Sequence, residues 1–441
     1  MNDRAPRSPV RRVGSATRRT FRSLRVRNYR LWFTGQTISL CGTWMQAVGQ
    51  GWLVFSLTHN AFYLGITAAL QFLPVLLFGT YGGLIADRFD KRRVLIATQA
   101  FFMAQALVMF LLVATGVVQL WMVWSLALAM GFINVFDNPS RQSFAIEMVG
   151  GDDLANAVGL NSVIVNASRI VGPAVAGILI ATAGLTWTFA LNAASFVAVL
   201  VALLLMRPAE LHRAERVRAG RGQVRAGLRY AWDKWELRVP LLMMAVMGTL
   251  AYNFNVLLPL FASDVYHRGG GTYGALTTAM GVGALAGALV IASRRVPRYK
   301  LLVLVTFAFG VLALGVALAP TLAAALVLLV PMGAASVAFI ALANSLLQLH
   351  SKGQMRGRVM SLWAIVFLGS TPIGAPLTGL VAAHFGARAA LSMGAVATLL
   401  TAAWGAFAMR RIRAEERRDE ADAAIPPPPH PQPAAGPAAR R

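Results

Sequence analysis

Acidic residues are the scarcest common group in this sequence: 17 Asp and Glu stand against 41 Lys and Arg in 441 residues, and all charged types together reach only 13%. An ordinary soluble domain carries about 25% charged residues, so the shortage of charge argues against a water-exposed globule. Cysteine is nearly absent. Cys41 is the only one, and it lies in an apolar segment, which excludes a disulfide framework or thiolate cluster and leaves a packed, inert thiol. The six histidines, at 59, 212, 267, 350, 384 and 430, are scattered, with no H-E-x-x-H pairing. No cluster of nucleophile, base or metal ligand accompanies them, so a membrane enzyme has nothing to rest on. A phosphate-cradling G-x-x-x-x-G-K-[ST] run is also missing, which removes ATP as a direct energy source. Nothing in the sequence calls for a metal or another cofactor.

Long apolar runs are abundant. Hydrophobic residues make up 57% of the chain, and segments of about 20 residues cross a ~30 Å hydrocarbon core at ~1.5 Å per residue. Twelve spans are expected, at 31-56, 62-86, 93-115, 119-137, 154-183, 187-206, 238-264, 272-293, 299-318, 321-349, 355-384 and 388-409. With the amino terminus placed in the cytoplasm, every Lys and Arg except Arg169, Arg268 and Arg388 falls on the cytoplasmic side. The net charge of +24 is then the positive-inside rule repeated at each inner loop, with attraction to anionic lipid as a by-product. It implies no nucleic-acid partner, since no basic stretch is interleaved with stacking aromatics on a polar fold.

The expected organisation is a cytoplasmic basic arm (1-30), a six-helix bundle (31-206), a cytoplasmic linker (207-237), a second six-helix bundle (238-409) and a Pro/Ala-rich disordered tail (410-441). The stretch TRRTF (Thr17 to Phe21) faintly resembles a twin-arginine export signal, but a full span without a cleavage site follows, so it reads as part of an uncleaved arm. Within the linker, GLRYAWDKWELR alternates basic and aromatic residues as a helix lying on the inner leaflet would. VGPAVAG (171-177) in the fifth span and IGAPLTG (373-379) in the eleventh echo each other. Parallel half-repeats with Gly/Pro-interrupted helices are a mark of secondary transporters.

Between the second and third spans lies GGLIADRFDKRRVL, in which six of the seven residues from Asp87 to Arg93 are charged. Gly83, Asp87, Arg88, Arg92 and Arg93 match a Gly, three residues, Asp, Arg, basic-cluster signature, and with the topology they make the chain resemble the major facilitator superfamily from about 22 to 410. Asp90 stands where that family often has Gly. The resemblance implies an all-α membrane fold of two pseudo-symmetric six-helix bundles and transport by alternating access. Asp87, at a helix carboxyl end, needs a positive partner. The amino end of the eleventh span, preceded by Arg356 and Arg358, would supply one and hold an inner gate shut. Arg88, Arg92 and Arg93 would anchor the loop to lipid phosphates or to acids such as Asp137 and Glu147, while Lys91 would only fix topology.

The fifth span carries Gly159, Ser168, Gly172, Pro173, Ala176 and Gly177, which resembles the antiporter motif of the superfamily with two glycines replaced by Ser and Ala. That favours export over uptake. The run from Asp137 to Gly177, with Asp137, Asn138, Pro139, Arg141, Gln142, Glu147, Asn161, Asn166 and Arg169, resembles the subfamily of siderophore (enterobactin) exporters and secretion effectors. An arginine inside a span is costly unless it meets an acid, carbonyls or a cavity, so Arg169 either pairs with Asp137 or Glu147 or binds an anionic substrate. The superfamily resemblance implies a substrate cavity lined by the first, fourth, seventh and tenth spans. Trp44, Gln46, Gln50, Asn134, Asn166, Asn253, Phe254, Asn255 and Asn344 are its candidates, with interhelical hydrogen bonding as the alternative for each. Asp137 and Asp264 are the acids on those helices that could carry a coupling proton, Asp137 being preferred. The expected partners are a small amphiphilic substrate, protons and the bilayer around a monomer in a bacterial inner membrane. A proton-coupled importer, or a scaffold or sensor that keeps the fold, is the alternative.

Overall fold

A computed structural model describes residues 22–151, 153–212, 223–293 and 297–423. The arm up to Phe21, with its twin-arginine stretch, and the Pro-rich part of the tail after Ala423 lie outside the described residues. No strand occurs among the described residues. Helices α1 (Arg27–Thr58), α2 (Ala61–Arg88), α3 (Lys91–Ala114), α4 (Leu120–Val149), α5 (Leu154–Thr182) and α6 (Thr186–Leu205) form a first bundle. The short α7 (Gln223–Trp232) leads into a second: α8 (Trp235–Leu250), α9 (Phe254–Leu260), α10 (Gly270–Ala292), α11 (Tyr299–Leu318), α12 (Leu322–His350) and α13 (Gly353–Ala423).

Ten helical stretches among the described residues are long and apolar enough to cross a membrane, Trp235–Val265 counting as one of them. α1 adds an eleventh through its 32 residues, its apolarity diluted by the buried Gln36, Gln46 and Gln50. α13 supplies two spans in place of one, because Gly386 sits at φ 84 and ψ 164, outside the helical region. Only glycine adopts that backbone without strain, so the eleventh and twelfth spans turn on a single residue. Around the bundles, Leu304, Leu318, Val327 and Phe407 are each more than half exposed, as side chains that meet acyl chains should be.

Three boundaries differ from the sequence expectation, each for a local reason. The fourth span continues past Asp137 to Val149. Asp137 is fully buried but ion-paired with Arg141 one turn on, and Glu147 meets Lys91 Nζ at 2.6 Å, so neither acid has to leave the helix for water. The seventh span breaks in mid-course. α8 closes at Ala251, Asn253 takes φ −96 and ψ 44, and α9 begins one residue later before a wide π turn over Phe261–Val265. Asn253 Nδ2 donates to Thr249 O and to Thr378 Oγ1, both at 2.8 Å, which satisfies a carbonyl that the break releases. The last helix runs to Ala423 instead of stopping near 409, because RRIRAEERRDEADA consists largely of strong helix formers.

One end of the molecule carries Arg88, Lys91, Arg207 and Lys352 and is called the basic end here. At the opposite, far end the bundles meet along two seams, α2 against the first half of α13 and α5 against α10. Both seams depend on small residues. A Cβ on Gly65 would lie 2.4 Å from Ala375 O, one on Gly379 2.6 Å from Ala61 O, and one on Gly274 2.5 Å from Gly177 Cα. Toward the basic end, Gly159, Gly353 and Gly357 meet nothing within 4 Å. Among the described residues the bundles are therefore in contact at the far end and stand apart at the basic end.

Because the atoms opposite Gly274 are backbone, Gly274→Val must push α5 and α10 apart at a cost of ~1–3 kcal/mol, comparable to the few kcal/mol that separate two conformers of one protein. Spin labels at the exposed Ala183 and Ala323, one on each bundle, should report a longer far-end distance in this variant than in the unsubstituted chain. An unchanged distance would mean that the glycine seam does not hold the far end shut.

Candidate functional site

Between the bundles at mid-depth lies a cavity of about 260 Å³, near the lower bound of the ~300–1,000 Å³ usual for small-molecule sites. The first bundle contributes Trp44 of α1, Ala68 and Phe72 of α2 and Arg169 of α5. The second bundle supplies the remaining wall from the broken seventh span, α10, α12 and α13. Its polar groups include Asn253, Asn255, Thr277, Ser336, Ser370 and Thr371, and its apolar ones Tyr252, Phe254, Met244, Met280 and Phe367. Asn253, Phe254 and Asn255 all reach the cavity although they are consecutive, which an unbroken helix would not allow.

Arg169 is the one cationic residue of that wall. Its guanidinium lies 5.0 Å from the Trp44 ring centroid, a cation–π contact worth ~2 kcal/mol when desolvated. Its Nε is buried without a hydrogen-bond partner among the described residues. Neither proposed acid pairs with it. Asp137 accepts hydrogen bonds from Thr98 Oγ1 and Gln99 Nε2, both at 2.8 Å, and is bonded to Arg141, while Glu147 is taken by Lys91.

Several candidates for the cavity stand elsewhere. Gln46 donates to Gln105 Oε1 at 3.0 Å and accepts from Asn192 Nδ2 at 2.6 Å, inside the first bundle. Two positions from Trp44 is ~200° around a helix, so the two side chains cannot share a face. Gln50, one turn beyond Gln46, is 2% exposed on that same inner side, with both amide atoms unpartnered among the described residues. Asn134 and Asn166 each donate to a carbonyl of their own helix, Met130 O at 3.0 Å and Ser162 O at 2.8 Å. Asn344 accepts from Gln348 at 2.5 Å. The fourth helix gives nothing to this wall, and α2, α5, α10 and α13 contribute where only four spans were expected. The missed lining groups Thr277 and Ser336 sit among Gly and Ala on α10 and α12, and hydroxyls on small-residue helices were the signal available for them.

The motif residues separate by function in the packing. Asp90 caps α3 by accepting from Arg93 N at 2.9 Å, so the acid that replaces the family's Gly starts the next helix. Arg92 donates to Leu203 O at 2.8 Å and Leu204 O at 3.2 Å, closing the carboxyl end of α6. Lys91, expected only to fix topology, is ion-paired. Arg88 is exposed at the end of α2. Gly83 and Asp87 lie on α2 by backbone, and their side-chain surroundings lie outside the described residues. On α5, Gly172 packs against Trp44 Cβ and Cys41 O, Ser168 Oγ is 3.4 Å from Cys41 Sγ, and Gly177 faces Gly271 and Gly274 of the other bundle. Ala176 is buried, Pro173 O lies against Gly274, and Gly159 faces open space. Asp264 is exposed in the π turn at the far end.

Twelve spans in two bundles around a central cavity define a membrane transporter of the major facilitator type. A family model described as transmembrane secretion effector matches residues 18–435, and the chain belongs to that family. The chain is 24% identical over 390 residues to the staphyloferrin A transporter of Staphylococcus aureus, covering 86% of this chain and 96% of that one. It is 28% identical over 360 residues to the multidrug efflux pump Tap of Mycobacterium tuberculosis (77% and 85% covered) and 26% identical over 360 residues to the enterobactin exporter EntS of Citrobacter koseri (80% and 84%). Its fold is similar to that of a bacterial homologue of the human lysosomal transporter Spinster, solved inward-facing and unoccupied, with TM-score 0.65, 14% identity and 88% and 95% of the two chains covered. A POT family transporter in complex with a thioalcohol-conjugated peptide matches with TM-score 0.69, 11% identity and 88% and 96% coverage. The protein is a multi-pass membrane transporter and not an enzyme.

The Lys91–Glu147 pair has both side chains close to 90% buried, and removing one partner of a buried pair costs ~3–5 kcal/mol. Lys91→Met should therefore lower the melting temperature and membrane yield, and Lys91→Met with Glu147→Leu should recover most of both. If the double variant melts as low as the single one, the pair is not what holds α3 to α4.

Proposed function

We propose that the protein exports a small amphiphilic molecule bearing an anionic group, such as a siderophore, a drug or a related metabolite, by alternating access with proton antiport. The observation that carries this reading is Arg169: a guanidinium at mid-membrane, stacked on Trp44 and facing a largely apolar cavity with no acid against it among the described residues. Removing an arginine from water costs several kcal/mol, and an anionic substrate would return part of that cost on binding. A carboxylate or catecholate oxygen pair fits the planar donor fork. The aromatic wall, with Met244 and Met280 in it, would accommodate a bulky body without fixing its shape.

Relatives named as siderophore and multidrug exporters support the outward direction, as does the Gly172–Pro173 motif of α5. With the basic end in the cytoplasm, as the distribution of Lys and Arg supports, the parted end faces the interior and the cavity would load from the cytoplasm. The inner gate would then form when Asp87 meets the amino end of the eleventh span. Asp137 is the candidate for the coupling proton: its carboxylate is buried, and it sits where α3 and α4 can change their grip on it.

In proteoliposomes, Arg169→Lys should reach the membrane at normal abundance yet bind an anionic substrate about 10-fold more weakly or worse, as expected for the loss of a charge-assisted hydrogen bond. Arg169→Met should lose that substrate. Normal affinity in the Met variant would end the anion-site reading. Dissipating the proton gradient with ATP held constant should abolish net export in the same vesicles, and export that continues at full rate would rule out antiport. Asp87→Asn should leave abundance unchanged and sharply reduce transport, and a wild-type rate would make Asp87 a topology residue.

A further inference from the structure

At the basic end, on the outer surface of the second bundle, α8 and the last span enclose a groove of about 590 Å³ that opens away from the protein. Its floor and sides are mostly apolar: Leu242 and Val246 from α8, and Ala397, Leu400 and Trp404 from the last span, with Thr401 beside them, its hydroxyl already donating to Ala397 O at 2.7 Å. It extends inward from Arg238 to Val246, ~12 Å at ~1.5 Å per residue. At its mouth the Arg238 guanidinium lies 4.1 Å from the Trp235 ring centroid and 4.9 Å from that of Trp232. Its Nε is buried without a hydrogen-bond acceptor among the described residues, and neither Asp233 nor Glu236 beside it pairs with it there.

We infer that this groove is a binding site for an anionic phospholipid, with the phosphodiester on Arg238 and one acyl chain along Leu242, Val246, Ala397 and Leu400. Three observations select that occupant. The groove faces outward on a membrane-spanning surface, with Leu400 66% and Trp232 54% exposed, so acyl chains are what it meets. Tryptophans gather at the depth of lipid headgroups, and two of them here flank a fixed cation. Arg238 is only partly buried and its terminal nitrogens have no hydrogen-bond acceptor among the described residues, so a phosphate oxygen can supply one. The largely apolar length of the groove offers a soluble anion little, and with the Thr401 hydroxyl already donating to Ala397 O, a peptide backbone finds few partners along it. This site is separate from the central cavity and does not depend on the transport reading.

The test uses the purified, delipidated full-length chain with three probes, phosphatidylglycerol, phosphatidylcholine and inorganic phosphate, and native mass spectrometry to count what stays bound. Phosphatidylglycerol should be retained in preference to phosphatidylcholine, and inorganic phosphate at equal concentration should not displace it. R238Q should weaken phosphatidylglycerol retention about 10-fold, the scale of a lost charge-assisted contact. A397F, which fills the groove and leaves the guanidinium in place, should weaken it likewise. Equal retention of the two lipids, displacement by inorganic phosphate, or unchanged retention in R238Q would each overturn the assignment. Should R238Q fail to reach the membrane, A397F decides, and full retention there overturns the site.

Discussion

An ionised group in a medium of low dielectric must find a counter-charge, a set of backbone dipoles or a pocket, and the internal order of this protein follows from how each buried charge meets that requirement. Asp137 has Arg141, Thr98 and Gln99, and Glu147 has Lys91. Arg92 closes the end of α6 through carbonyls, and Arg388 does the same for α11 through Ala317 O at 2.6 Å and Ala319 O at 2.8 Å. These contacts join neighbouring helices within one bundle, so they make each bundle a unit without tying it to the other. Between the units, close packing of glycines takes the place of polar bonds at the far end. Arg169, with only an aromatic face and an open cavity, and Arg238, on two tryptophans at the outer groove, are the exceptions.

Fold class was legible because span length and loop charge are set by the bilayer and show in composition alone. The twelve spans and their division around the linker could be read without contacts. The broken seventh span could not, since neither Gly nor Pro marks Tyr252 and Asn253, and the break is stabilised by Thr378 from a distant helix. The extent of α4 was hidden for a related reason. Asp137 reads as an end to a span until its partners on α3 are known.

The cavity was half legible. Trp44, Arg169, Asn253, Phe254 and Asn255 reach it, whereas Gln46 and Gln50 face inward among α3 and α6. Polarity at membrane depth marks either a cavity or an interhelical contact, and only helix phase separates the two. Hydrophobic periodicity is weak in helices that are apolar all round, so the phase of α1 had to come from packing.

The seventh span, α10, α12 and α13 supply most of the cavity wall, whereas Trp44 and Arg169 stand on the opposite bundle. The site is thus a hand made from one body and a thumb carried by the other. Any rotation of one bundle against the other must alter the distance from thumb to hand, so a molecule held by both cannot be gripped with equal strength throughout the motion. Were the bundles to rotate in this way, release would follow from the division of the site itself, because the displacement that turned the cavity would also loosen whatever both sides held.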